Sequence, residues 1–188
     1  MGAPVPRLIL ICGLPGSGKT TLAKRLADER QALRLSEDEW MAQLGIDLWN
    51  EQARDRLEKQ FWRLAQDLLR LGDSVILESG FWLRSDRDEK RLGARTLGAA
   101  VELHYLPTPM DELVRRLVFR QPQSGHETPP ISRSDLVSWS RSFEAPDDDE
   151  MALFDRPINA FESSTESAMV GQDATSPEPS IEVGRRRA

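Results

Sequence analysis

Arg7-Leu8-Ile9-Leu10-Ile11-Cys12-Gly13-Leu14-Pro15-Gly16-Ser17-Gly18-Lys19-Thr20 is the stretch on which the fold turns. Its first six residues make an apolar run bounded by Pro6 and Gly13, the pattern of a strand buried on both faces as in a parallel sheet. The last eight match G-x-x-x-x-G-K-[ST] in full. Residues 19–30 then place Leu22, Ala23, Leu26 and Ala27 at helical spacing. Strand, glycine turn and helix in that order is the context in which this motif cradles phosphate. Glycine lets backbone N–H groups approach phosphate oxygens that a Cβ would hold away, and the helix N-terminus shares the negative charge. The candidate nucleotide-binding residues are therefore Gly13, Pro15, Gly16, Ser17, Gly18, Lys19, Thr20 and Thr21. Lys19 is expected to reach the β and γ phosphates, and the Thr20 hydroxyl to ligate Mg²⁺.

Outward from this motif, strands and helices alternate. Residues 32–35 read as a short strand, with Ser36 and Glu39 in the spacing of a capping box. From residue 51 to 71 apolar side chains recur every three or four positions, and Gly72 follows as a C-cap. A buried strand over residues 74–77 runs into Glu78-Ser79-Gly80, and a helix is expected over residues 85–97. Another strand covers residues 101–106. Thr108-Pro109 opens a helix to about Arg120, with Pro at its first position. Residues 121–130 read as a mobile loop, Ser132 with Asp135 starts a helix toward Phe143, and residues 151–154 suit one docked turn. This alternation predicts an α/β fold, a three-layer P-loop sandwich whose parallel sheet is covered by helices on both faces, with a helical and loop lid over about residues 115–134.

The chain has 188 residues, enough for one α/β domain, expected over residues 1–154. Up to Ala145 it carries 21 basic and 21 acidic residues, and from Pro146 onward 4 basic and 10 acidic, so the tail holds the whole net charge of -6. A neutral body argues against a broad nucleic-acid surface, which would need clustered Lys and Arg. The tail, residues 155–188, is acidic and rich in Ser, Thr, Glu and Pro, and is expected to be largely disordered. The single cysteine, Cys12, permits no intramolecular disulfide and reads as a core residue. No apolar run approaches a membrane span and no signal peptide opens the chain, so a cytoplasmic protein is expected.

Glycine loops of this kind serve kinases, switches and motors alike, so the reading of a second site decides between them. Asp38 follows the second strand, at the sheet edge that faces the ligand crevice. A carboxylate there can take the proton of an attacking hydroxyl, although Glu37, Asp38 and Glu39 also suit the first turn of a helix. Glu78 ends an apolar strand, the placement either of an acid that holds Mg²⁺ through a bound water, or an acceptor, or of a plain strand-end carboxylate. Arg115, Arg116 and Arg120 lie on the helix entering the lid, with Arg116 and Arg120 one turn apart, either as charge-neutralising groups or as a solvated face. Trp40, Phe81 and Trp82 flank the two acids and either wall an acceptor pocket or pack in the core. Arg84 reads as a surface residue, and His104 and His126 as structural ones.

In order along the chain, Gly13 to Thr20, Leu35-Ser36-Glu37-Asp38-Glu39-Trp40, Leu77-Glu78-Ser79 and Glu112-Leu113-Val114-Arg115-Arg116 with Arg120 resemble the P-loop kinases of the AAA_33 group, which includes kinases like zeta toxin, polynucleotide kinase and chloramphenicol phosphotransferase. The resemblance covers roughly residues 7–154. It implies ATP and Mg²⁺ at Lys19 and Thr20, a general base at Asp38, and lid arginines at Arg116 and Arg120 that stabilise the transferred phosphoryl group. Where the polynucleotide kinase of the group carries an arginine three residues after its base, this chain has Met41. That difference and the neutral body weigh against a polynucleotide end, and the resemblance to chloramphenicol phosphotransferase and zeta toxin implies a small hydroxylated acceptor. A nucleic-acid end kinase and a nucleotide-gated regulatory ATPase without an acceptor are the other two readings. ATP rather than GTP follows from the resemblance, no guanine-reading N-K-x-D being present.

Overall fold

The structure, a computed structural model, describes residues 4–120 and 131–158. The chain divides into one unit over Met1–Pro157 and a second over Ile158–Ala188, of which only Ile158 is described. The loop expected over residues 121–130, with His126, and the disorder expected beyond Phe161 lie outside the described residues.

Eleven elements are found among the described residues: β1 (Arg7–Cys12), α1 (Lys19–Arg30), β2 (Leu33–Ser36), α2 (Glu37–Gln43), α3 (Glu51–Leu71), β3 (Val75–Gly80), α4 (Arg84–Thr96), β4 (Ala100–Tyr105), α5 (Met110–Arg120), α6 (Arg133–Ser142) and α7 (Asp148–Met151). The strands form one parallel sheet in the order β2-β3-β1-β4. Leu8 of β1 pairs with Val75 on one side and Val101 on the other, and Ser36 of β2 stands opposite Glu78 of β3. Because every strand runs the same way, the segments after Cys12, Ser36, Gly80 and Tyr105 leave from one edge. That edge is where open α/β sheets bind ligands.

Alternation along β1 builds the other two layers. Leu8, Leu10 and Cys12 face a core completed by Phe61, Ala65 and Leu69 of α3, Ala94 of α4 and Phe154. Ile9 and Ile11 face Ala23 and Leu26 of α1. All five β1 positions have no exposed surface, and each such aliphatic side chain contributes about 1.5–3 kcal/mol. A third cluster, Leu113 and Leu117 of α5 with Leu136 of α6, packs against Leu14 of the glycine loop. Helices α5 and α6 thus rest on the phosphate loop itself.

The ends of the helices show which local signals won. Asn50 caps α3 through Ala53 N, Gly72 closes it at φ 92°, and Ser132 with Asp135 forms a full capping box on α6. The capping box expected at Ser36 does not form. Ser36 makes no side-chain cap, and the Glu39 carboxylate pairs with Arg34, a stronger partner than a backbone N–H. Helix α5 starts at Met110, one residue past the expected Pro109, whose carbonyl accepts from Glu112 and Leu113. No helix among the described residues is long and apolar enough to cross a membrane.

Candidate active site

Gly13, Gly16 and Gly18 all have φ in the left-handed region, at 154°, 84° and 101°, so the turn between β1 and α1 has a shape that L side chains resist. A Cβ on Gly13 would come within 2.7 Å of Ser17 Oγ, and one on Gly16 within 3.2 Å of Leu117 Cγ. Gly13 N donates to the Gly80 carbonyl at 3.1 Å, which ties the start of the loop to the end of β3. Lys19 Nζ donates to the carbonyls of Gly13 (3.0 Å) and Leu14 (3.2 Å), so its ammonium folds back over the loop. Helix α1 has no side-chain cap and no acidic residue in its first turn, which leaves its positive end for an anion. Buried Ser17 Oγ has no hydrogen-bond partner among the described residues. Pro15 and Thr21 complete the expected set on the same loop and first turn.

Thr20 Oγ1 donates to Glu78 Oε1 at 2.5 Å, bringing together the two residues expected at a metal. β3 lies directly beside β1, which is why the acid at its end reaches the first turn of α1. Arg34 of β2 donates Nε to Glu78 Oε2 at 2.7 Å and pairs through Nη2 with Glu39, so it orients the carboxylate from the far side. Among the described residues no group of three or more His, Cys, Asp or Glu could hold a metal ion.

Asp38 and Glu37 open α2 at the same sheet edge, yet their surroundings differ. The Asp38 side chain is 73% exposed, and Oδ1 accepts from Arg54 Nη1 at 2.8 Å. Arg54 comes from the first turn of α3, and its Nη2 donates to the Leu48 carbonyl at 2.9 Å. Glu37 is buried, accepts from Ser79 Oγ at 3.1 Å and stands 3.7 Å from Arg54 Nη1. Burial, reinforced by the charge of Glu58, pushes its carboxyl up to about 7 against the Ser79 hydrogen bond and the charge of Arg54. Met41, three residues after Asp38, has no exposed surface and belongs to the interior.

Of the two arginines expected near the phosphates, Arg116 and Arg120, Arg116 stands over the loop. Its Nη1 lies 3.4 Å from the Gly16 carbonyl and 3.3 Å from that of Ser17, while Nε donates to Glu112. Arg115 instead makes a two-point pair with Glu112 on the exposed side of α5. Those hydrogen bonds, Arg115 first and Arg116 second, hold the Glu112 carboxyl down to about 2. Arg120 ends α5, and its side chain lies outside the described residues.

The aromatic residues sort differently from a simple flanking pattern. Phe81 is core, at φ 46°, and its carbonyl accepts from Arg87. Trp40 stacks edge-on against Phe61. Trp82 lies against Gly80 and contacts Trp139 at a centroid distance of 5.9 Å, and Trp139 contacts Trp49 at 5.8 Å. Arg54, Arg34, Trp49 and Trp139 were not expected here from sequence. Trp49 carried a readable signal, a large aromatic in a turn segment just ahead of the Asn50 cap. For the two arginines, partners 16 and 44 residues away leave none. His104 is bonded to buried Glu102, Arg84 lies within 4 Å of Asp88 and Asp147, and burial pushes the Cys12 thiol up to about 11, all structural arrangements.

The sequence profile of the AAA domain family, AAA_33, matches residues 8–146. A search of curated proteins gave no match. Among solved structures, the chain is similar to a protein of Chloroflexus aurantiacus J-10-fl assigned as a kinase, at 26% identity and TM-score 0.61 over 77% of this chain and 83% of that one. It is also similar to a chain of the Pnkp1/Rnl/Hen1 RNA repair complex, at 26% identity and TM-score 0.61, covering 73% of this chain and 44% of that one. A sugar kinase from Janibacter sp. HTCC2649 is 25% identical with TM-score 0.55, over 89% of this chain and 94% of that one. The glycine loop, the sheet order and these matches agree: the chain belongs to the AAA_33 family and is a nucleotide-binding P-loop phosphotransferase.

Proposed function

We propose that the protein transfers the γ-phosphate of ATP to a hydroxyl of a small-molecule acceptor, with Asp38 as general base. The observation that carries this reading is an accessible carboxylate, one oxygen held by Arg54, at the sheet edge from which the phosphate loop also leaves. An acceptor oxygen attacks the γ-phosphorus as the bond to the bridging oxygen of ADP breaks, and its proton passes to Asp38. Lys19 and the loop amides bind the phosphates, and Arg116 and Arg120 neutralise charge as it moves, a role worth about 10³–10⁵ in rate where dissected.

Thr20 and Glu78 fit Mg²⁺ by chemistry, since a hydroxyl and a carboxylate oxygen converge there and hard cations take oxygen ligands. When bound, the cation supplies charge neutralisation at the phosphates; Glu78 is the group on this chain that fixes its side of the site.

A small acceptor is supported by the neutral body and by the sugar-kinase relative. The relative in an RNA repair complex favours a polynucleotide end as the second reading, which salt-sensitive binding to an oligonucleotide would support. The deciding experiment measures ADP release against sugars, nucleosides, antibiotics and oligonucleotide ends. Asp38→Asn should keep nucleotide affinity and lower acceptor-dependent release by about 10²–10⁴. Release that never depends on any acceptor would replace this reading with a regulatory ATPase.

A further inference from the structure

We infer that Trp49, Trp82 and Trp139 form an aromatic wall that holds the acceptor by the flat face of an uncharged, hydroxylated ring beside Asp38. The inference rests on the phosphotransfer reading above and adds the acceptor class. The three indoles come from separate parts of the chain: the segment between α2 and α3, the turn after β3, and α6. They meet at centroid distances of 5.8 and 5.9 Å, with planes inclined by 34° and 50°, so no two rings are stacked flat on one another. Trp49 is 46% exposed and Trp82 and Trp139 are half-buried, which leaves indole surface for a further flat group.

Both ends of the wall are fixed to groups of the proposed reaction. At one end, a Cβ on Gly80 would lie 3.1 Å from Trp82 Nε1 and 3.6 Å from the Gly13 carbonyl, so this indole borders the start of the phosphate loop. At the other, Arg54 bonds Asp38 with one nitrogen and the Leu48 carbonyl, next to Trp49, with another. Trp139 joins the two through α6, whose Leu136 packs with Leu113 and Leu117 of α5 against Leu14. An acceptor set between Asp38 and the loop therefore has these indoles alongside it.

The charges nearby select against an anionic ring. Asp38 and Asp47, whose Oδ1 accepts from Trp49 N, lie at this end, and Arg54 is committed to Asp38 and the Leu48 carbonyl. Arg84 is shared between Asp88 and Asp147. Saccharide rings and nucleosides share the required chemistry, a flat face with hydroxyls at its rim, and stacking on an aromatic side chain tolerates either.

The test reads binding without turnover, by tryptophan emission of the full chain carrying Asp38→Asn, titrated with methyl β-D-glucopyranoside, adenosine, adenosine monophosphate and acyclic sorbitol. The glucoside or adenosine should change the emission saturably, which assigns the ring as saccharide or nucleoside; sorbitol should not, and the monophosphate should bind no more tightly than adenosine. Adding Trp49→Ala should weaken ring binding about tenfold or more with nucleotide affinity unchanged, and Trp49→Phe should restore most of it. Failure of both ring compounds to bind, sorbitol binding equally well, tighter binding of the monophosphate, or indifference to Trp49→Ala overturns the inference. Should the chain with Asp38 intact phosphorylate an acceptor equally well with and without Trp49→Ala, phosphotransfer stands and the wall falls. Ring binding without acceptor-dependent ADP release has the opposite meaning.

Discussion

At the scale of single residues, two neighbouring carboxylates show how burial divides roles that sequence leaves together. Glu37 and Asp38 both look like first-turn charges of a helix, but one is 4% exposed and the other faces solvent. Burial and Glu58 lift the Glu37 carboxyl to about 7 from 4.5, so between those values the folded chain holds a proton that the unfolded chain has released. Its contribution to stability is fully present below about 4.5, falls as pH rises through the window, and is lost above about 7. Glu37→Gln, which keeps an acceptor for Ser79, should flatten that dependence and be more stable than the parent at pH 8 by up to about 3 kcal/mol. Urea unfolding at pH 5 and pH 8 measures it, and an unchanged difference between the two pH values would show that Glu37 ionises normally. The phosphate loop, by contrast, was legible residue by residue. Its function demands backbone geometry that only glycine supplies cheaply, and Gly13, Gly16 and Gly18 take it.

At the scale of elements, periodicity found β1, α1 and α3 to the residue, because each has a recurring apolar pattern, and β1 and α3 also have a terminator that sequence names, Gly13 and Gly72, whereas α1 ends on Gln31 at φ 50°. The run Asp147 to Glu150 shows what such reading misses. The sequence places a docked turn only after it, at residues 151–154, yet the run itself forms α7 and buries Glu150 against Arg87 of α4, with Nε–Oε1 at 2.6 Å and Nη2–Oε2 at 2.8 Å. Arg87 also holds the Phe81 carbonyl at 2.8 Å, so one guanidinium links α7, α4 and the strained turn that carries Trp82. A charge can be buried here only because a partner 63 residues away meets it, and no local pattern carries that distance. Glu150→Ala leaves the Arg87 cation buried alone and should cost about 3–5 kcal/mol. The paired change Arg87→Met with Glu150→Leu should recover most of that loss, because it removes both desolvation penalties together. A double-mutant cycle in urea decides; equal losses for the single and double variants would mean that packing, not charge pairing, holds α7.

At the scale of the molecule, alternation implied a parallel sheet but not its order, since the order depends on which strand crosses over which. That order, β2-β3-β1-β4, is what sets Glu78 against Thr20 and leaves β4 at the sheet margin. The margin is closed by the chain itself: Asp155 N donates to the Val101 carbonyl at 2.8 Å, and Asp155 Oδ2 accepts from Val101 N at 2.6 Å. Phe154, 8% exposed, fills the core beneath. Arg95 pairs with the same Asp155 carboxylate at 2.8 Å. The segment just after α7 therefore contributes a core side chain and satisfies two backbone groups of an edge strand that would otherwise invite pairing with another chain. Truncation should divide sharply at this point. A chain ending at Pro157 retains every one of these contacts and should match the full chain in thermal midpoint and nucleotide affinity. A chain ending at Ala152 loses Phe154 and Asp155 together; removal of a buried Phe alone costs about 3–5 kcal/mol, and the exposed β4 edge adds a tendency to associate. Melting curves with light scattering on both truncations test this. If the chain ending at Pro157 melts as low as the chain ending at Ala152, residues after Pro157 support the fold as strongly as Phe154 and Asp155 do.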